Sequence, residues 1–130
     1  MWVGCAGTWG DDYSDAGIIS LNLDDWSLTT LYGGEALKGR PTSLDTGFSS
    51  QSLAVSATPS PGNVWDVDTM QLLRLDGENV DTLYTKAGFS LGGIKSWSEN
   101  NLLIAQRTYD SQSGVLLLNL ATLEIEGRWS

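Results

Sequence analysis

The apolar residues of this chain come in short runs and never in a sustained helical stripe. WVGCAG, GIISL, SLAVSA, LLRL, LLIA and GVLLLNL are rich in Val, Ile and Leu, and clusters of Gly, Ser, Asp and Pro separate them. Runs of about four to eight such residues bounded by turn formers predict β-strands. The one segment of helical character is GEALKG, Gly34 to Gly39, long enough for a single turn. An all-β fold is the expectation.

The runs also repeat. WVGCAGT (Trp2 to Thr8), SLAVSAT (Ser52 to Thr58) and LLIAQRT (Leu102 to Thr108) align without gaps, with threonines at 8, 58 and 108. A polar turn follows each and closes on Gly17, Gly62 or Gly114, where glycine is expected to reach positive φ in a tight reversal. Each copy then has a bulky residue followed by Asn or Asp: Leu21-Asn22, Trp65-Asp66 and Leu118-Asn119. An Asx side chain at a strand end bonds the backbone two residues on and sets a turn, so each pair is expected to end a strand. GIISLNLDDWSLTTLY and GVLLLNLATLEIEGRW match from end to end. The third copy is the best formed, with a strand at Ile94 to Trp97, a turn at Ser98 to Asn100 and three further strands. Four antiparallel strands in about 40 residues make one propeller blade.

Trp65-Asp66, together with the strand, turn and strand of SWSENNLLIA, resembles the WD-repeat family and related β-propeller repeats, as a degenerate pattern over nearly the whole chain. The family's Gly-His dipeptide is absent, because the chain has no histidine. The resemblance implies a partial β-propeller of about three four-stranded blades, the first lacking its opening strand. Blade 1 falls at about 1–34, blade 2 at about 43–76, a connector at 77–93 and blade 3 at about 94–130. A β-sandwich of the same strands is the alternative. Within the connector, VDTLYT is read as an ordered loop, with pairing to a sheet edge as the second reading. Ser43-x-Asp45-x-Gly47-x-Ser49 resembles the Asp-box turn of sialidase-like propellers without its closing aromatic, and is read as a polar hairpin turn. Trp26, Trp65, Trp97 and Trp129 are assigned to the core or to packing between blades.

Composition narrows the function. Seven Lys and Arg against sixteen Asp and Glu give a net charge of −9, and the cations are scattered singly. That excludes the clustered positive surface needed for nucleic acid or an anionic membrane. No apolar run is long enough to predict membrane insertion. The absence of histidine excludes Ser-His-Asp and Cys-His nucleophile systems, and no Gly-rich phosphate loop or Cys-x-x-Cys pair appears. Cys5 lies in an apolar run and is read as a small buried residue. DDYSDAG approximates a calcium loop only loosely, so Asp11, Asp12 and Asp15 are read as solvated turn residues. No catalytic residue, metal or cofactor is therefore expected.

The candidate binding surface is the loop face at the end of the repeats, carrying Trp9, Asp11, Asp12, Tyr13, Asp15, Pro59, Pro61, Tyr109 and Asp110. Aromatics among acids on loops held by a rigid scaffold suit a basic peptide, a protein or a stacked sugar. An arc of fewer than four blades cannot close, so its two ends are expected to expose apolar faces. The expected function is a non-catalytic protein-binding or assembly module. It completes a ring by self-association, with a dimer favoured, or docks on a larger complex. The other readings are a carbohydrate-binding or glycosidase-like propeller fragment, and a structural component of a virion or surface layer.

Overall fold

Every strand pairs with its neighbour in the sequence, so the chain folds as three consecutive meanders. The computed structural model describes residues 1–7, 12–47, 52–60, 62–88, 91–107 and 113–130. The first sheet holds β1 (Trp2–Cys5), β2 (Gly17–Leu21) and β3 (Leu28–Gly33). A single helical turn, α1 (Gly34–Leu37), leads into the second sheet of β4 (Arg40–Asp45), β5 (Ser52–Ser60), β6 (Asn63–Asp76) and β7 (Asn79–Ala87). The third sheet holds β8 (Leu91–Ser96), β9 (Asn101–Gln106), β10 (Gly114–Asn119) and β11 (Ile125–Trp129). All pairs are antiparallel and none of the sheets is closed.

The second sheet lies between the other two. On one face Leu53, Val55, Ala57, Met70 and Leu72 pack with Leu91, Ile94, Leu102, Ile104, Leu116, Leu118 and Leu120 of the third sheet and its turns. On the other face Ala54, Leu73 and Leu75 pack with Ile18 and Tyr32 of the first sheet and with Leu37 of α1. Strand alternation sends successive side chains to opposite faces. A strand buried on both faces therefore reads as a continuous apolar run, as LAVSA of β5 does. The polar member of that run is satisfied: the Ser56 hydroxyl donates to Leu37 O at 2.8 Å, which also accounts for a carbonyl at the end of α1. The Tyr32 hydroxyl donates to Gly77 O at 2.6 Å and ties the first sheet to a turn of the second.

Strand pairing corrects the repeat register. Each sheet carries a β-bulge at one point against its last strand, between Ile18 and Ile19, Leu72 and Leu73, or Leu117 and Leu118. The residues just before the bulges pair with Gly4, Val55 and Leu103. Gly4 thus takes the place of Val55, where the threonine alignment paired it with Ala54. A shift of one residue exchanges the two faces of a strand, so only the bulge register puts Gly4 and Val55 on corresponding faces. The sequence trace of this register is Thr-Leu-Tyr, at Thr30 to Tyr32 and again at Thr82 to Tyr84.

Several local expectations change accordingly. Trp65-Asp66 does not end a strand: β6 runs unbroken from Asn63 to Asp76, and the turn falls at Gly77 and Glu78, with Asp76 opposite Asn79. Asp-Gly at φ +57 supplies the tight reversal. Residues 77–93, expected as a connector with VDTLYT as a loop, contain β7, the last strand of the second sheet. Trp26, Trp97 and Trp129 are not core residues; they are 71%, 69% and 55% exposed. Trp26 sits in the β2–β3 turn, Trp97 follows the end of β8, and Trp129 lies opposite Val115 on a face that no sheet covers among the described residues. The Trp65 side chain lies outside the described set. Gly62 has φ +75 as expected, whereas Gly17 and Gly114 do not adopt positive φ; a Cβ on either would run into a carbonyl oxygen of the adjacent strand. The expected Asx turns form at two places: Asn22 Oδ1 accepts the Asp24 N–H at 3.0 Å, and Asn119 Oδ1 the Ala121 N–H at 2.9 Å.

Candidate functional site

Of the loop-face residues, Trp9, Asp11, Pro61, Tyr109 and Asp110 lie outside the described residues. Asp12, Tyr13 and Asp15 lie in the β1–β2 loop, with both aspartates exposed and Tyr13 half-buried. The Asp12 carboxylate accepts from the Ser14 N–H at 2.7 Å and from the Ser14 hydroxyl at 3.0 Å, an Asx turn that occupies both oxygens locally. Arg40, buried at the start of β4, donates from Nη2 to Asp12 O at 2.8 Å and anchors this loop to the second sheet. Pro59 is half-buried near the end of β5, two residues beyond Ala57, which faces Arg40. The β1–β2 loop and the end of β5 therefore share one end of the sheets. Among the described residues, no three acidic or thiol side chains converge as a metal site would require. Cys5 is half-buried on β1 and unbridged.

The most developed polar geometry lies elsewhere, at Ser43 and Asp45, residues first read as a hairpin turn. Both are on β4, and their spacing of two puts them on one face of the strand. That face meets β8. Ser43 Oγ accepts the Ile94 N–H at 3.1 Å, Asp45 Oδ2 accepts the Ser96 N–H, and Asp45 Oδ1 accepts the Gly47 N–H at 2.7 Å. Asp45 is 5% exposed. Burial pushes its carboxyl upward, but the N–H bonds from Ser96 and Gly47, the charge of Lys95 and the Ser96 hydroxyl outweigh burial and hold it below its ordinary value. A Cβ at Gly47 would come within 2.6 Å of Ser96 Oγ and 2.8 Å of Asp45 Oδ1, so a larger residue there would displace these side chains.

This arrangement does structural rather than chemical work. β8 is an edge strand, and edge N–H groups left open invite unwanted pairing. Ser43 and Asp45 cap two of them while joining the second sheet to the third. An ionised carboxylate only accepts, and these bonds use both of its oxygens. The sequence signal was the Ser-x-Asp-x-Gly spacing, but its partners lie 51 positions away.

The outer faces of the stack are the other feature built by several elements. On the third sheet, Leu103, Val115, Leu117 and Trp129 point away from the second sheet, with Val115 38% exposed. On the first sheet, Val3, Cys5, Ile19, Leu21 and Leu28 do the same. No family model, no curated protein and no solved structure matches the chain.

Proposed function

We propose that the chain is a non-catalytic binding and assembly module made of propeller blades, one to each sheet, with the first blade short of its opening strand. The observation that carries this reading is the contrast between covered and bare faces. Within the chain, one face of each sheet packs on the opposite face of the next, as the bulge register defines them. The first and third sheets each keep one bare apolar face, and these two faces are of opposite kind. A head-to-tail contact between copies would repeat the internal packing. Two copies joined at both ends would make a ring of six sheets, two times three.

Charge favours the same orientation. Residues 1–33 carry five aspartates and no Lys or Arg, whereas the third sheet and its turns carry Lys95, Arg107 and Arg128 against Glu99, Asp110, Glu124 and Glu126. Two first sheets brought face to face would repel each other more strongly than a first sheet against a third, whose cations nearly balance its acids.

Light scattering over a dilution series tests the reading. A mass above that of the monomer should decline on dilution. Leu117→Lys, on the bare face of the third sheet, should give monomer at concentrations where the parent chain associates, with an unfolding midpoint that matches the parent's only in dilute solution, where both are monomeric. A parent chain that stays monomeric at every concentration would overturn the self-assembly reading.

A further inference from the structure

The geometry points to a strand-addition site on the free edge of β1, which we propose takes an extended peptide carrying an apolar residue followed by an aspartate. The inference rests on reading β1–β3 as a sheet short of its first strand. β5 and β9 each have a partner on the side away from the following strand, β4 and β8 respectively. β1, which the bulge register aligns with them, pairs among the described residues only with β2.

The register specifies the guest. Ser43 lies opposite Val55, Leu44 opposite Ala54 and Asp45 opposite Leu53. Gly4 takes the place of Val55, so Val3 takes that of Ala54 and Trp2 that of Leu53. A strand added to β1 in the same way sets the residue in the place of Ser43 opposite Gly4, its apolar residue opposite Val3 and its carboxylate opposite Trp2. Strand addition satisfies the edge through main-chain hydrogen bonds, and alternate side chains confer the selectivity.

A second observation meets the first at the same point. A cavity of about 160 Å³ lies between β1 and β4, lined by Gly4, Pro41, Thr42, Ser43 and Leu44. It is where the guest side chain opposite Gly4 arrives. The target on β4 is also defined. Ser96, which donates to Asp45, pairs with Leu102, and Leu44 pairs with Ala54, the residue aligned with Leu102. Leu44 therefore stands to the guest carboxylate as Ser96 stands to Asp45. Within this chain Ser43 and Asp45 are already engaged on β8, so the occupant is a separate segment with an aspartate in the place of Asp45 and not the β4 of a second copy.

The probe is a synthetic peptide with the sequence of residues 40–47, RPTSLDTG, titrated into the intact chain by calorimetry and followed by amide hydrogen exchange. One-to-one binding with new protection confined to residues 2–5 and the Leu44 amide is expected. The peptide carrying Asp45→Ala should bind about tenfold or more weakly, the size of a lost hydrogen bond to a charged group. Gly4→Leu in the protein, which fills the cavity from a position where a Cβ meets Pro41 Cβ at an ordinary 3.4 Å, should weaken binding similarly. The altered peptide keeps the test valid should that protein variant misfold. No binding, protection elsewhere, equal binding by the altered peptide, or an edge held by a second copy that the peptide fails to displace would each overturn the proposal. Dilution-dependent association abolished by Leu117→Lys reads the sheet faces and not the β1 edge, so the two readings fail separately.

Discussion

β5 and β1 occupy the same place in their sheets and meet different surroundings. Leu53, Ala54, Val55 and Ser56 of β5 are completely buried. In β1, Trp2, Val3 and Cys5 are half-buried and Gly4 is exposed. Residue type does not account for the contrast, because both strands are short runs of small and apolar residues. The difference lies in neighbours: β5 has a strand on each side and a sheet over each face, whereas β1 has one strand beside it and one face covered. Burial in this fold is conferred by position in the stack, and the end sheets carry side chains suited to a covering that the described residues do not supply.

The sharpest way to break the comparison is to truncate an apolar side chain in the middle and one at the end. Leu72→Ala, at the junction of the second and third sheets, should cost about 2–5 kcal/mol in urea unfolding. Val3→Ala, on the bare face of β1, should cost less than about 1 kcal/mol. Similar losses at the two sites would mean that the end face is covered as well as the middle one.

A smaller effect is expected at the joint between sheets. Asp45→Ala leaves the N–H groups of Gly47 and Ser96 without their acceptor and should cost about 1–3 kcal/mol. The same joint gives a pH dependence of definite sign. The Asp45 carboxyl lies below its ordinary value in the fold, so its stabilisation is complete above the unfolded carboxylate range of about 3.9. That stabilisation is lost as pH falls through the folded value. Urea midpoints measured from pH 6 down to about pH 2 should fall less steeply for Asp45→Asn than for the parent chain. Parallel slopes would remove Asp45 from the acid response.

Much of this architecture was legible in the residues. The strand runs, the single turn at Gly34–Leu37 and the three-stranded start of the chain follow from local pattern and repeat. Asn22 and Asn119 set turns because an Asx side chain acts within two residues of itself, a distance that sequence reports directly. Errors arose where two local signals competed or where the partner was distant. Trp65-Asp66 reads as a strand end, although Asp76-Gly77, a hairpin signal, stands eleven residues beyond Trp65. That choice left β7 unassigned as a connector, and Thr82-Leu83-Tyr84 would have recovered it by its match to Thr30-Leu31-Tyr32. Tryptophans at strand positions implied a core, but the faces that hold Trp129 and its neighbours are at the end of the stack. The role of Asp45 was hidden because its partners are on the next sheet. The loop residues Asp12, Tyr13, Asp15 and Pro59 are placed at one end of the sheets, and that placement by itself specifies no ligand.

The central claim is that the middle sheet is finished and the two end sheets are not. Native-state amide hydrogen exchange, measured residue by residue at low and at high protein concentration, tests it most directly. At low concentration the amides of β5 and β6 should exchange slowest and those of β1 much faster, and protection of the first and third sheets should rise with concentration while that of β5 stays constant. Equal protection of β1 and β5 in the dilute protein would contradict the account, because it would show that the end of the stack is already as complete as its middle.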